Sequence, residues 1–303
     1  VHDPADLKKS WMGGTDYSIH PAMEDEFVET IAAFLYYARH SAGIRFYLVA
    51  PVNETEQVHD ARNNEHPQGV LEGPNIPDAG QLTRIIRKLI LRLDLVGMND
   101  IRMVVPDAAT TRLFRDCVES MSKDSLIQAR MAAWGIHQYG NSTEENESIL
   151  AASGQQDAAL WVTEMAGIDN LFRQFNGKGR AFFFWDGFDC VYQHARRNNY
   201  GDVMPNDWVF WEGEEGKPLM EFHPGTDTWT PRPQFRQFEK VFRNIKPGSV
   251  RIGCETNDSS LRVAAFRNPD HRVVLTGMNT GTDTLQLTIP LLKQELVLAP
   301  GQL

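Results

Sequence analysis

Cysteine is scarce in this sequence: three in 303 residues, at positions 117, 190 and 254. Their wide spacing does not suit a metal knuckle, and their odd number argues against a disulfide framework, so they read as small buried apolar residues. No uninterrupted apolar run approaches the roughly 18 to 20 residues of a membrane helix, and "VHDPADLKKS" lacks the apolar core of a signal peptide. A soluble chain is expected, with its compartment, secreted or cytoplasmic, left open. A basic surplus is also missing. Lysine and arginine number 30 against 40 acids, for a formal net charge of -10, and the cations are dispersed, so no nucleic acid is expected as partner. There is no glycine-rich phosphate motif, since "MGG" at 12–14 follows no strand. The loop "HDARNNEHPQG" has two histidines without regular ligand spacing, and no metal is expected there. The sequons at Asn141, Asn146 and Asn257 carry little weight, because such short patterns arise by chance. What remains is a neutral ligand.

Strand and helix signals alternate through the first two thirds of the chain. "PAMEDEFVETIAAFLYYARHSAG" opens on Pro21, places Glu24, Asp25 and Glu26 in a first turn, and spaces Phe27, Ile31, Phe34, Leu35 and Ala38 helically. "IRFYLVA" (44–50) is a continuous apolar run of the kind found in parallel strands covered on both faces. A helix near 77–96 carries Leu82, Ile85, Ile86, Leu89, Ile90 and Leu93 on one stripe and stops at Gly97. Strands follow at "IRMVV", "MAAWGIHQYG", "ALWVTEMAG" and "RAFFFWDGFD", each separated by a helix. This alternation predicts βαβ units on a parallel sheet.

Beyond residue 186 the pattern changes. "DWVFWEGEEGKPLMEFHPG" resembles a hairpin turning at Glu214 to Gly216, and "PRPQFRQFEKVFRNI" a last helix. Short alternating runs then recur to the end: "SVRIGCET", "SLRVAAFRN", "RVVLTGMNT", "TLQLTIP" and "LVLAP". They suit an antiparallel sandwich, which divides the chain into 1–245 and 246–303. The expected fold class is α/β: a partial (β/α) barrel of about five strands followed by a C-terminal antiparallel β-sandwich.

The strand ends carry the chemistry. The five strands end in Asn53 and Glu54, Pro106 and Asp107, His137 and Tyr139, Glu164, and Trp185 and Asp186, and in a (β/α) barrel such ends open onto one face. A single glutamate after a strand is ordinarily a helix cap or a solvated loop residue, and Glu54 alone would carry no more weight than that. Two glutamates at corresponding addresses have a known use. Glycoside hydrolysis needs one carboxylic acid to protonate the departing oxygen and one carboxylate to attack the anomeric carbon, about 5 Å apart when configuration is retained. Asn53 would hydrogen-bond a sugar hydroxyl, His137 and Tyr139 would orient the nucleophile, and Trp185 offers a flat face to a sugar ring. Trp208, Trp211 and Trp229 offer further faces, although hairpin packing explains at least two of them equally well.

"VAPVNET", "HQYG", "LWVTEMAG" and "FFFWDGF" resemble the fourth, sixth, seventh and eighth strand ends of clan A glycoside hydrolases. "TPRPQFRQFEKVFRNIKPGSVRIG" is similar to the barrel-to-sandwich junction of glycoside hydrolase family 30. The resemblance covers most of the chain. It implies a retaining β-glycosidase acting on β-linked glucosides, galactosides or xylosides, with Glu54 as acid/base, Glu164 as nucleophile, and no metal or organic cofactor. It also implies that "SWMGG", with Trp11, is the loop after strand three, a further substrate contact. The alternative is a carbohydrate-binding protein that kept the cleft without turnover.

The family's barrel has eight strands, and three should lie upstream of "SWMGG", where only about ten residues stand. Either the chain is a fragment of a longer protein or the barrel is truncated. A parallel edge left open exposes backbone donors and apolar side chains. The expectation is therefore a homodimer that covers the edge of the 44–50 strand.

Overall fold

The computed structural model describes residues 19–56, 74, 76–138, 143–177, 179–185, 187, 219–223, 226, 228–289 and 293–303. The described residues form two compact units. One comprises those through Met165 together with those of 178–183, and the other those of 166–177 and 184–303. The division at 245/246 marks where the strand pattern of the sequence changes. Compactness instead groups two earlier helices with the C-terminal strands.

In the first unit, helix α1 (Glu24–His40) has its three acids in the first turn, where they favour the positive end of the helix dipole. Glu24 is buried but paired. It accepts from Arg84 at 3.0 Å and lies 3.2 Å from the Lys88 ammonium, both on α2 (Ala79–Leu95). The stripe read from the sequence of α2 is wholly buried, and Gly97 ends the helix at φ +73°. Asp78 caps α2, its side chain accepting from the Gln81 N–H. Glu54 is therefore not the cap of the helix that follows it.

The strands β1 (Leu48–Val49), β2 (Arg102–Ala108), β3 (Met131–His137), β4 (Leu160–Met165) and β5 (Ala181–Phe184) form one sheet in that order. β1, β2, β3 and β4 are paired in parallel. Between them run α3 (Thr111–Met121), α4 (Ser125–Arg130) and α5 (Thr143–Ala152). Five strands in sequential order, joined by helices, make the partial (β/α) barrel that the alternation predicts.

The edge differs from the expected one. Of the apolar run at 44–50, only Leu48 and Val49 pair with β2, and Ile44, Phe46, Tyr47 and Leu48 are exposed. A continuous apolar run calls for cover on both faces, and the described residues do not supply it. Arg45 instead donates to Asp100 at 2.8 Å and stacks over Tyr47.

The core of this unit centres on β3. Trp134 is fully buried, meets Phe114 of α3 edge to face at 6.1 Å, and has no hydrogen-bond partner for its indole N–H among the described residues. Truncating Trp134 to alanine should cost about 3–5 kcal/mol. Trp134→Phe should cost much less, because it also removes an unsatisfied donor. Urea midpoints of the two variants check this, and equal losses would contradict it. Asn146, on α5, is likewise fully buried, so of the sequons Asn257 is exposed, Asn146 is sealed in the folded chain, and Asn141 lies outside the described residues.

The second unit contains α6 (Ile168–Asn176), the hairpin of β6 (Met220–His223) and β7 (Thr228–Pro231), and α7 (Pro233–Phe242). The expected turn at 214–216 lies outside the described residues, and the described hairpin falls one step later in the chain. β8 (Val250–Ile252), β9 (Leu261–Arg267) and β10 (Val273–Asn279) form an antiparallel sheet, and β11 (Leu285–Ile289) pairs with β12 (Gln294–Leu298). These are the five alternating runs of the sequence. Phe175 of α6 packs edge to face on Phe266 of β9 at 5.0 Å, and Asp169 pairs with Arg262 at 3.1 Å. Cys117 is buried and Cys254 half-buried, both as free thiols, while Cys190 lies outside the described residues. No helix among the described residues is long and apolar enough to cross a membrane.

Candidate active site

Two irregularities in the parallel ladder shape the strand ends. Between β2 and β3, Pro106 pairs with Gly135 and Ala108 with Ile136, so Asp107 is an extra residue, held at φ +61°. Between β3 and β4, Ile136 pairs with Val162 and His137 with Glu164, so Thr163 is the extra residue there. Bulges of this kind re-aim side chains at the end of a strand. The extra residues meet: the Thr163 hydroxyl donates to Oδ1 of Asp107. Gly135 leaves the necessary room, since a Cβ at that position would stand 3.1 Å from the same Asp107 oxygen and 3.0 Å from Val104 Cγ1.

The loop after β1 is fastened at three successive residues. The Glu54 N–H donates to the Asp107 carbonyl at 3.1 Å, and Thr55 exchanges hydrogen bonds with the Ile76 backbone. Glu56 accepts from both the N–H and the hydroxyl of Thr110, the N-cap of α3. Glu54 itself adopts φ +41°. An uncommon backbone conformation in a non-glycine residue is held only where its surroundings over-determine it.

These constraints bring three of the expected groups together. His137 Nδ1 lies 2.6 Å from Glu54 Oε1 and 3.6 Å from Glu164 Oε2, while its Nε2 lies 3.5 Å from Asp107 Oδ1. One oxygen of Glu54, one of Glu164 and a nitrogen of His137 all lie within 4.8 Å of one another. Glu54 and His137 are buried and Glu164 is partly open. Burial disfavours a charged imidazole. Here hydrogen bonds to Asp107 and Glu54, with the charges of Asp107 and Glu164, outweigh burial and push the His137 pKa up to about 10. A cation could take one atom from each of the three groups. However, Nδ1 already shares a proton with Glu54, and a metal would have to displace it.

The remaining expected residues are placed as follows. Asn53 is half-buried beside Glu54. Trp185 follows β5, belongs to the second unit, and is exposed, as is Trp229 on β7. Trp11, Tyr139, Asp186, Trp208 and Trp211 lie outside the described residues. Asp107 received no role from the sequence beyond its address at a strand end, yet it is one of the side chains packed against His137.

A consequence for stability follows from the raised histidine pKa. The unfolded imidazole titrates near 6.5, so the contribution of His137 is fully present below that pH and is lost as the pH rises through about 10. Thermal midpoints measured from pH 6 to 10 should fall more steeply for the native chain than for His137→Asn. Parallel curves would contradict this.

A sheet of parallel βα units with acids gathered at its strand ends is the architecture in which (β/α) barrels carry their active sites. Residues 248–301 match the family model for the glycosyl hydrolase family 30 beta sandwich domain. No curated protein matches the sequence. Among solved structures, the chain is similar to SrfJ from Salmonella typhimurium, with a TM-score of 0.67 at 15% identity over 94% of this chain and 62% of that one. An endo-β1,6-glucanase gives 0.64 at 17% over 97% and 64%. The catalytic domain of the family 30 xylanase C from Talaromyces cellulolyticus gives 0.58 at 15% over 87% and 56%. The resemblance to glycoside hydrolase family 30 thus holds by sequence in the C-terminal strands and by fold along most of the chain. The chain spans about three fifths of the length of these structures.

Proposed function

We propose that this chain carries the catalytic glutamates of a retaining β-glycosidase acting on β-linked glucosides, galactosides or xylosides. The observation that carries the proposal is the convergence of Glu54 and Glu164 on His137, with an oxygen of each carboxylate within 4.8 Å. That closeness supports direct attack by one carboxylate, for which about 5 Å is needed, over the wider spacing of roughly 6.5–9.5 Å used by inverting enzymes.

In the proposed reaction, Glu164 attacks the anomeric carbon as its bond to the aglycone oxygen breaks, and Glu54 gives that oxygen its proton. Glu54 then takes a proton from water. The hydroxide formed attacks the anomeric carbon, and Glu164 leaves as a carboxylate. His137 donates through Nδ1–H to Glu54 Oε1, which leaves the other oxygen of Glu54 to deliver the proton. Asn53, Trp185, Trp11 and Tyr139 are proposed as sugar contacts, and no step calls for a metal or organic cofactor. Hydrolysis of aryl β-glycosides by the purified chain tests the proposal.

One observation favours a second reading. The chain spans only about three fifths of the solved structures it resembles, so a cleft that binds carbohydrate without turning it over is the alternative. Saturable binding with no release of aglycone would support it.

The partner proposed is a second copy of this chain seated over the edge at β1. Phe34 and Tyr37 of α1 are 61% and 64% exposed, Phe46 and Leu48 are exposed as well, and the rings of Phe34 and Phe46 lie 6.1 Å apart. Apolar exposure beside a strand that, among the described residues, is paired on one side alone marks an association surface.

A further inference from the structure

Asp107 is buried, lies outside the two-glutamate scheme, and occupies a position that the fold constructs deliberately. A bulge makes it the extra residue of β2, Gly135 supplies the space for its carboxylate, and Thr163 donates to it. Its Oδ1 faces Nε2 of His137 at 3.5 Å, on the far side of the ring from Glu54.

The two sides of the imidazole make opposite demands on a neutral ring. Glu54 at 2.6 Å and Glu164 at 3.6 Å both present oxygens to Nδ1, and Asp107 presents one to Nε2. Whenever Glu54 is ionised, a neutral imidazole, which carries one N–H, leaves one nitrogen lone pair pointing at a carboxylate in either tautomer. A ring protonated on both nitrogens satisfies both sides. Among the described residues, the titratable groups placed against His137 are Glu54 from the loop after β1, Asp107 from β2 and Glu164 from β4.

We propose that Asp107 is a positioning residue that keeps His137 doubly protonated, so that Nδ1–H always donates to Glu54 Oε1 and the same Glu54 oxygen always faces the departing group. The consequence for catalysis rests on the glycosidase proposal above, whereas the protonation state does not. With Asp107 in place, the imidazolium also steadies the Glu54 carboxylate that forms when its proton leaves. Without the charge of Asp107, burial regains weight and the ring becomes neutral within the working pH range.

The test is nitrogen NMR of His137 in the native chain and in the near-isosteric Asp107→Asn variant, with a pH–rate profile of each. In the native chain, both ring nitrogens should be protonated at pH 8. In Asp107→Asn, the titration of His137 should move down by more than one pH unit. For an aryl glycoside with a poor leaving group, kcat should fall about tenfold to a hundredfold with little change in KM, since proton delivery is the part impaired. A dinitrophenyl glycoside, which needs little help from an acid, should be much less affected. A singly protonated ring in the native chain at pH 8 would overturn the proposal even if the variant did not fold, and so would an unmoved titration in a folded variant. If neither protein turns over any glycoside while the titration still shifts, it is the glycosidase proposal that fails, and the role of Asp107 toward His137 stands.

Discussion

Glu164→Gln should abolish turnover of aryl β-glycosides, with kcat lower by on the order of 10^4 or more, the scale on which loss of an enzyme's nucleophile is felt. The amide keeps the shape of the side chain, so the loss would report chemistry and not folding. Glu164 is the more open of the two glutamates, at 17% side-chain exposure. Glu54→Gln should behave differently. Substrates whose leaving group needs a proton should lose activity nearly as severely, while a dinitrophenyl glycoside should still form the glycosyl-enzyme and accumulate it, because breakdown lacks its base. Mass spectrometry of the quenched variant should then show the mass of one sugar added to the chain. Loss of activity in Glu54→Gln that ignores the leaving group would assign that residue another role.

The second large effect concerns the edge at β1. In solution the chain should be a dimer at micromolar concentration, and Phe46→Asp should raise its dissociation constant at least thirtyfold, the ratio that corresponds to about 2 kcal/mol for a central apolar anchor. The residues that would be covered are Phe34 and Tyr37 on α1 and Ile44, Phe46 and Leu48 beside the strand. A substitution at Lys123, which follows α3 and pairs with Glu119 at 3.6 Å, should leave the dimer intact. Light scattering that shows a stable monomer would rule out the second copy as the cover.

Much of the fold was legible because its periods are distinct. The stripe from Leu82 to Leu93 repeats at helical spacing and is fully buried, and the five alternating runs after residue 248 became β8 to β12. Glu54 and Glu164 could be paired from their addresses, since parallel strands in sequence order bring their carboxyl ends to one side. Asp107 could not be read in the same way. Its importance depends on a ladder slip opposite Gly135 and on a left-handed backbone conformation, and neither leaves a periodic trace. The run at 44–50 misled in length for a related reason. Apolar composition says that a segment seeks cover on both faces, but pairing needs a neighbour, and among the described residues β2 alone provides one.

The central question for this chain is whether these two glutamates break glycosidic bonds with retention. The most direct measurement is proton NMR of the purified chain acting on aryl β-glucoside, β-galactoside and β-xyloside, followed from the first minutes. At least one should be hydrolysed, and the β-anomer of the free sugar should appear first, with the α-anomer growing in only by mutarotation. An α-anomer that appears first, or no release of sugar from any of the three by a folded chain, would contradict this.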